Sequence, residues 1–266
     1  MQLFDIEHLN LIAAVATFVL MWTWESLAPF QTFASGRLIH SVRNLALGGI
    51  NAFTGATVFA AATLATCLYS QTEAIGILYW VPLPPFAAAA LAFIALDVWT
   101  YAWHRANHVI PFLWRFHRTH HSDHLMDVST AVRFHVGEIA ISSLVRLPLI
   151  MLIGLPLGTL LVYETLLRIA TQFHHSNVNL PGRSDALLRL LVVSPDMHKI
   201  HHSQERADMD SNYASVLSVW DRLFRTYRVC IDKSQLCYGV PGLTGNTQHR
   251  LWDLLRTPLS PLRRGD

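Results

Sequence analysis

The chain has 266 residues, of which 52% are hydrophobic and only 14% charged, with a mean hydropathy of +0.32. Soluble domains carry about a quarter charged residues, so this balance excludes an ordinary soluble domain and points to a membrane protein. A net charge of +2 gives no electrostatic case for nucleic acid, and Cys67, Cys230 and Cys237 offer neither a disulfide framework nor a thiolate metal site.

In chain order, Leu9 to Ala28 is nearly continuous apolar sequence. It is long enough to cross about 30 Å of hydrocarbon, and its closing Trp22 and Trp24 suit an interface. Asp5 and Glu7 precede it instead of basic residues, so it reads as a retained transmembrane helix and not a cleaved signal. A loop with Arg37, His40 and Arg43 leads to a second run, Leu45 to about Tyr69, whose Gly48, Gly49 and Gly55 let helices approach closely. After a short link at Ser70 to Glu73, prolines 82, 84 and 85 open a third run to Trp103. The positive-inside rule puts Arg37 and Arg43 in the cytoplasm, and two further crossings return His104, Arg105, Arg115 and Arg118 to that side.

Twelve of the 15 histidines fall between His104 and His202. Residues three and four apart share a helix face, so His104 with His108, then His117 with His120 and His121, then His198 with His201 and His202, form three clusters. Read from spacing alone, these clusters fold together around a pair of metal ions.

The fourth apolar region, about Glu138 to Ala170, lies between the second and third clusters, and a single crossing would separate them. Gly154-Leu155-Pro156-Leu157-Gly158 is a strong breaker, so the region reads as a hairpin of helices at about 138–153 and 157–172. Arg146, Glu164 and Arg168 within it are expected to face protein or water. Beyond His174, residues 185–193 suit a short interfacial helix, Trp220, Leu223 and Phe224 an apolar anchor, and the tail after Cys230 an irregular course. Trp99, Trp103 and Trp114 read as interface anchors, and His8, His40 and His249 as solvated or interfacial.

The fold class is therefore an all-α integral membrane protein with about three transmembrane helices, a broken hairpin and a cytoplasmic, histidine-rich helical cap. It forms one domain over 1–266, divided into helices at 9–103, caps at 104–135 and 174–227 around the hairpin at 138–172, and a tail at 228–266.

Neutral imidazole binds iron, zinc, copper and nickel, so residue type leaves the metal open. Eight clustered histidines exceed one zinc site and fit two metals. Two redox metals at a membrane face suit activation of dioxygen against an unactivated C–H bond, because iron changes valence and zinc does not. The competing function is a membrane metal-binding or metal-transport protein, although transporters place ligands near the midplane on broken helices. An intramembrane zinc hydrolase would want an HExxH motif, which the chain lacks.

The ordered set Asp97…Tyr101…His104-Arg105…His108, Trp114…His117…His120-His121-Ser122, Arg133…His135…Glu138, His175-Ser176-Asn177, His198…His201-His202-Ser203 and Asn212-Tyr213…Trp220-Asp221…Thr226-Tyr227 resembles the fatty acid hydroxylase superfamily, also called the sterol desaturase family. The resemblance covers about residues 97–227 and is specific through the motifs taken together. It implies a membrane-bound, non-haem di-iron oxygenase that hydroxylates or desaturates a lipid, with two iron ions as cofactor and O2 as co-substrate. It implies as metal ligands His104, His108, His117, His120, His121, His198, His201 and His202, with His175 as a ninth through its place before Ser176-Asn177. Asp97, Tyr101, His135, Glu138, Asn177 and Asp196 are candidates for orienting those ligands. Because no GxGxxG turn occurs, electrons are expected from an external donor, a ferredoxin or a cytochrome with its reductase. The expected place is a bacterial inner membrane with the histidines facing the cytoplasm. Two positions depart from the family pattern: Val136 stands where it has proline and Arg225 where it has glycine, both outside the histidine clusters.

Overall fold

Among the described residues, four helical stretches are long and apolar enough to cross a membrane: Leu9–Leu27, Arg37–Trp80, Pro85–Val109 and Val136–Ile153. They define an integral membrane protein. The computed structural model describes residues 3–32, 36–229, 235–243 and 249–261, with side chains from Leu9 onward in the first helix. Cys230 and the side chain of His8 lie outside the described residues.

Helix α1 is Leu3–Leu27, and α2 (Arg37–Thr54) continues through a π-helical turn at Gly55–Phe59 into α3, Ala60–Thr72. The second crossing thus begins eight residues earlier than its apolar run, and Arg37, His40 and Arg43 lie in helix instead of loop. The cause is local neutralisation: the Arg37 guanidinium bonds the buried Glu25 carboxylate at 2.6 Å and covers the Trp22 ring at 3.8 Å. Of the small residues expected to allow close packing, Gly48 does so, since a Cβ there would meet Val132 at 2.9 Å. Gly49 and Gly55 have open space beside them.

After the short α4 (Ile77–Trp80), Pro85 occupies the first turn of α5 (Pro85–Val109), where its missing N–H costs nothing. Ile110 is extended ahead of Pro111, which starts α6 (Pro111–His121), so the chain turns between the first two histidine clusters without losing either helix. A 3-10 turn at Val128–Val132 then leads to α7, Val136–Ile153.

The expected hairpin is present. Gly154 (φ 73°) closes α7 with its N–H to Ile150 O, and Leu155 N also reaches Ile150 O, the pattern of a left-handed helix stop. Pro156 then caps α8, Leu157–His175, which returns to the end where α7 began. Arg146 and Glu164 pair across the two arms at 2.9 Å, whereas Arg168 is half exposed at 3.4 Å from Glu164. Ala92, Leu96, Ile150, Leu155, Leu160 and Tyr163 pack where α5, α7 and α8 meet.

Short helices build the cap: α9 (Gly182–Leu188), α10 (Pro195–His201), α11 (Arg206–Met209) and α12 (Val219–Leu223). The tail is not irregular throughout. It contains α13 (Leu251–Arg256) and a 3-10 turn at Thr257–Leu259, and Arg118 of α6 donates to the carbonyls of Thr257 at 2.7 Å and Ser260 at 2.6 Å. A buried arginine supplies the partners that organise this segment.

Both departures from the family pattern sit at informative backbone positions. Val136 is the first residue of α7, the place where proline fits best. Arg225 has φ 60°, the left-handed region that glycine adopts freely.

Candidate metal centre

Nine imidazoles converge in two adjoining groups. His104, His108, His117, His121 and His201 form one, and His120, His175, His198 and His202 the other, with the ligand atoms of each within 4.8 Å of one another. Helical spacing explains the division. The i, i+4 pairs His104/His108, His117/His121 and His198/His202 each stay within a group, while His120 and His201, a step away on the same helices, face the other. The groups abut, with His121 and His202 stacked at 4.5 Å and His117 and His120 at 5.4 Å.

The hydrogen bonds fix which nitrogen faces inward. His104 Nδ1 donates to Tyr213 O at 2.8 Å, His201 Nδ1 to Ser211 O at 2.7 Å and His175 Nδ1 to Thr171 O at 2.7 Å. A carbonyl accepts only from N–H, so in the neutral rings Nε2 keeps a bare lone pair. Yet His201 Nε2 faces His104 Nε2 at 3.0 Å, and His175 Nε2 lies 3.1 Å from His120 Nε2 and 3.0 Å from His198 Nε2. At His104 and His201, where both Nδ1 protons are committed, two lone pairs held this close repel unless a cation lies between them. The inward Nε2 atoms of His108, His117 and His121 are also buried without a hydrogen-bond partner. Nitrogen ligands at about 2.0–2.1 Å from a common metal would stand about 3.0–3.4 Å apart, so the donor set fits bound metal.

Burial reinforces neutrality. It pushes the imidazoles of His120, His121, His198 and His202 well below their ordinary value, and His201 to about 3, with neighbouring imidazoles adding in the same direction. Neutral rings are what metal ligation needs.

Among the residues expected to orient ligands, Glu138 hydrogen-bonds a clustered imidazole: its Oε1 accepts from His117 Nδ1 at 2.8 Å. The others spend their hydrogen bonds elsewhere. Asp97 Oδ2 accepts from Trp220 Nε1 at 2.7 Å and Leu217 N at 3.1 Å, and Oδ1 from Tyr163 at 3.2 Å, so it ties α5 and α8 to the cap. Tyr101 meets Thr226 at 2.9 Å. His135 caps α7 by accepting from Gly137 N and bonds Leu255 O with its other nitrogen. Asn177 exchanges hydrogen bonds with the Gln31 backbone, and Asp196 lies 3.4 Å from Lys199 within α10. His174 falls outside both groups, its ring 4.0 Å from that of His198.

Trp114 is buried, with its ring 5.1 Å from His108 and 5.5 Å from His121, so it walls the site instead of anchoring at an interface. Neither His40 nor His249 is solvated. His40 bonds Asp123 at 2.7 Å, and His249 Nδ1 accepts from Arg133 at 3.1 Å. They belong to a buried polar brace that single residues in the sequence did not reveal. Arg133 donates to Thr119 O at 3.0 Å, Asn44 Oδ1 at 2.8 Å and Ser122 Oγ at 2.8 Å, which pins the last turn of α6. Burial alone would raise the Asp123 carboxyl, but the charges of His40 and Arg133 outweigh it and hold it well below the usual carboxylate range. Glu25 completes the brace by accepting from Val128 N at 3.1 Å and Asn177 N at 2.8 Å.

Phe134, which the spacing did not single out, lies flat against His120 with centroids 4.3 Å apart. The Ser211 and Tyr213 carbonyls were equally silent, because main-chain acceptors have no residue signature. The dense Asn212-Tyr213 motif was the available pointer.

The profile of the fatty acid hydroxylase family matches residues 89–226, which include all nine histidines. Human alkylglycerol monooxygenase is 32% identical over 151 residues, covering 56% of this chain and 32% of that protein. Ornithine lipid hydroxylase OlsE of Rhizobium tropici is 27% identical over 249 residues, covering 90% and 71% respectively. Rat cholesterol 25-hydroxylase is 26% identical over 152 residues, covering 56% and 49%. The match spans about a third of the length of the alkylglycerol monooxygenases. No solved structure matches the chain. A profile match over more than half the sequence, enclosing both imidazole groups, makes this chain a member of the fatty acid hydroxylase family.

Proposed function

We propose that this chain is a membrane-bound, O2-dependent lipid hydroxylase that works with two iron ions. The observation that carries the reading is the opposed pair of bare nitrogens at His104 and His201, with the Nε2 atoms of His120 and His198 drawn up to the bare Nε2 of His175 in the second group. His104, His108, His117, His121 and His201 would hold one ion, and His120, His175, His198 and His202 the other. When bound, the pair supplies the valence change that activates dioxygen toward an unactivated C–H bond, which zinc would not.

The chain's own residues do the positioning. The Tyr213, Ser211 and Thr171 carbonyls fix three ring orientations, and Glu138 holds the Nδ1 proton of His117. Trp114, Phe134 and the burial of the ligand rings exclude water, which protects a reactive centre from side reactions.

Hydroxylation is favoured over desaturation by the names of the relatives, which include monooxygenases and hydroxylases. The substrate class is a membrane lipid. The long alignment with the ornithine lipid hydroxylase makes a polar bacterial lipid the first to test. Electrons come from a separate ferredoxin or cytochrome with its reductase. The histidines face the cytoplasm of a bacterial inner membrane, supported by Arg37 and Arg43 at the same end of the helices. Residues 1–266 act as one unit, supported by the return of α13 and the following turn onto Arg118.

The test is reconstitution in lipid with ferrous iron, a reductant and dioxygen. The expected result is two irons per chain, oxygen uptake and lipid product carrying one added oxygen. Full iron loading with no oxygen uptake on any membrane lipid, or metal flux across vesicles instead, overturns the reading.

A further inference from the structure

Two cap segments far apart in sequence are stitched into one outward-facing surface. Val193 N donates to Val216 O at 3.0 Å and Ser218 N to Leu191 O at 3.1 Å, while Ser218 Oγ donates to Arg189 O at 2.8 Å. The seam brings α9 and the turn after it beside α12. On the joined face Leu187, Leu190, Leu191, Val219, Leu223 and Phe224 are all exposed, from 42% at Phe224 to 72% at Leu191. Soluble surfaces rarely gather so many large apolar side chains in one place.

The depth of the seam says what covers it. Leu217 N and Trp220 Nε1 both bond Asp97 Oδ2. Asp97 lies within the membrane-crossing α5, seven residues before His104, which is about 10 Å deeper at 1.5 Å rise per residue. The surface is therefore continuous with the lipid-facing flank of α5 and not raised above it.

Charge agrees. Within 182–192 and 217–228 the acids are Asp185 and Asp221, both buried, with Asp185 3.1 Å from Arg189. Five arginines occupy the same stretches, of which Arg183, Arg225 and Arg228 are exposed. Arginine carries its charge at the edge of an apolar surface while its stem lies along it.

We propose that residues 187–191 and 219–224 form a single lipid-embedded platform, sunk into the leaflet on the histidine side, with Arg183 and Arg225 engaging the phosphates of anionic phospholipids. The platform rests on the placement of α5 in the bilayer and not on the oxidation chemistry, so it can fail or stand separately from it. It gives the cap a second hold on the membrane, independent of the crossing helices.

The test uses the full chain in vesicles of phosphatidylcholine with or without phosphatidylglycerol. Cys67, Cys230 and Cys237 are replaced by serine, and a fluorophore is attached at Leu190→Cys or Leu223→Cys. Lipids brominated along the acyl chain are expected to quench both labels, aqueous iodide to quench neither, and phosphatidylglycerol to deepen the bromolipid effect in a manner lost in R183Q/R225Q. Quenching by iodide overturns the platform, and protection from both quenchers overturns it in favour of a protein partner or a second copy of the chain. Should the cysteine-free variant not fold, photoactivatable phosphatidylglycerol is applied to the unaltered chain. Crosslinks mapping to both 182–192 and 217–228 support the platform, and crosslinks confined to the crossing helices overturn it.

Discussion

His104 and His201 point their Nε2 atoms at each other across 3.0 Å while each ring commits its Nδ1 proton to a main-chain carbonyl. Such an arrangement stores repulsion that metal relieves, so metal should stabilise the fold as any ligand bound only to the native state does. Chelation is expected to lower the melting temperature in detergent, and ferrous iron or zinc to restore it. For H201A the chelator-induced shift should shrink, read by differential scanning fluorimetry. An identical melting temperature with and without chelator, at matched measured metal content of two and zero, would count against the site.

Glu138 tests how much the outer support matters. Its carboxylate faces His117 Nδ1 at 2.8 Å, and loss of such a partner usually lowers metal affinity by about 10–100-fold. E138A is expected to show that loss in competition with a metallochromic chelator, and E138Q, whose amide oxygen can still accept the bond, a smaller one. Equal affinities for E138A and the parent chain would remove Glu138 from the positioning role.

His249 sets an acid limit on stability. Burial, with Arg133 and His124 beside it, pushes its imidazole from the ordinary value of 6.5 down to about 4. Between those values the unfolded chain binds a proton that the native chain does not, so stability falls as pH drops from about 6.5 toward 4. Protonation would also take the Nδ1 lone pair that accepts from Arg133. Melting curves across this range should show a shallower acid slope for H249Q than for the parent chain, and an unchanged slope would be contrary evidence.

Arg225 holds a left-handed backbone with φ 60°. Side-chain-bearing residues lose about 1–2 kcal/mol in that region relative to glycine's tolerance of it. R225G is therefore expected to raise stability by up to about 1 kcal/mol after glycine's extra unfolded-state entropy is deducted. Equilibrium unfolding in mixed micelles measures this, and a destabilised R225G would refute it.

The two turns at the far end of the bundle meet backbone to backbone. A Cβ on Gly76, whose φ is 117°, would stand 2.2 Å from Gly154 N and 2.3 Å from its Cα. G76A should destabilise by at least about 1–3 kcal/mol, since neither backbone can yield cheaply. Wild-type stability in G76A would show that this contact is not maintained.

What the sequence made legible followed from periodicity. His104/His108, His117/His121 and His198/His202 announced themselves through helical spacing, and Gly154-Leu155-Pro156 through the chemistry of a helix stop, so eight of the converging imidazoles and the hairpin were readable, while His175 followed only from the resemblance of His175-Ser176-Asn177 to the family pattern. The direction of a lone polar side chain was not. Asp97 lies on the histidine helix but turns toward Trp220 and Leu217, because the cap folds back beside α5 and supplies buried donors there. His40, Asp123, Arg133 and His249 likewise form their brace through tertiary contacts between segments more than 80 residues apart. Trp114 resembled an interfacial anchor in composition, yet the turn at Pro111 rotated it inward.

Helices α6 and α10 each serve both imidazole groups at once: His117 and His121 go one way and His120 the other, just as His201 goes one way and His198 and His202 the other. The two centres consequently share their ribs. A twist of either helix would withdraw donors from both groups together, so a substitution that shifts one rib would disturb the neighbouring group as well as its own.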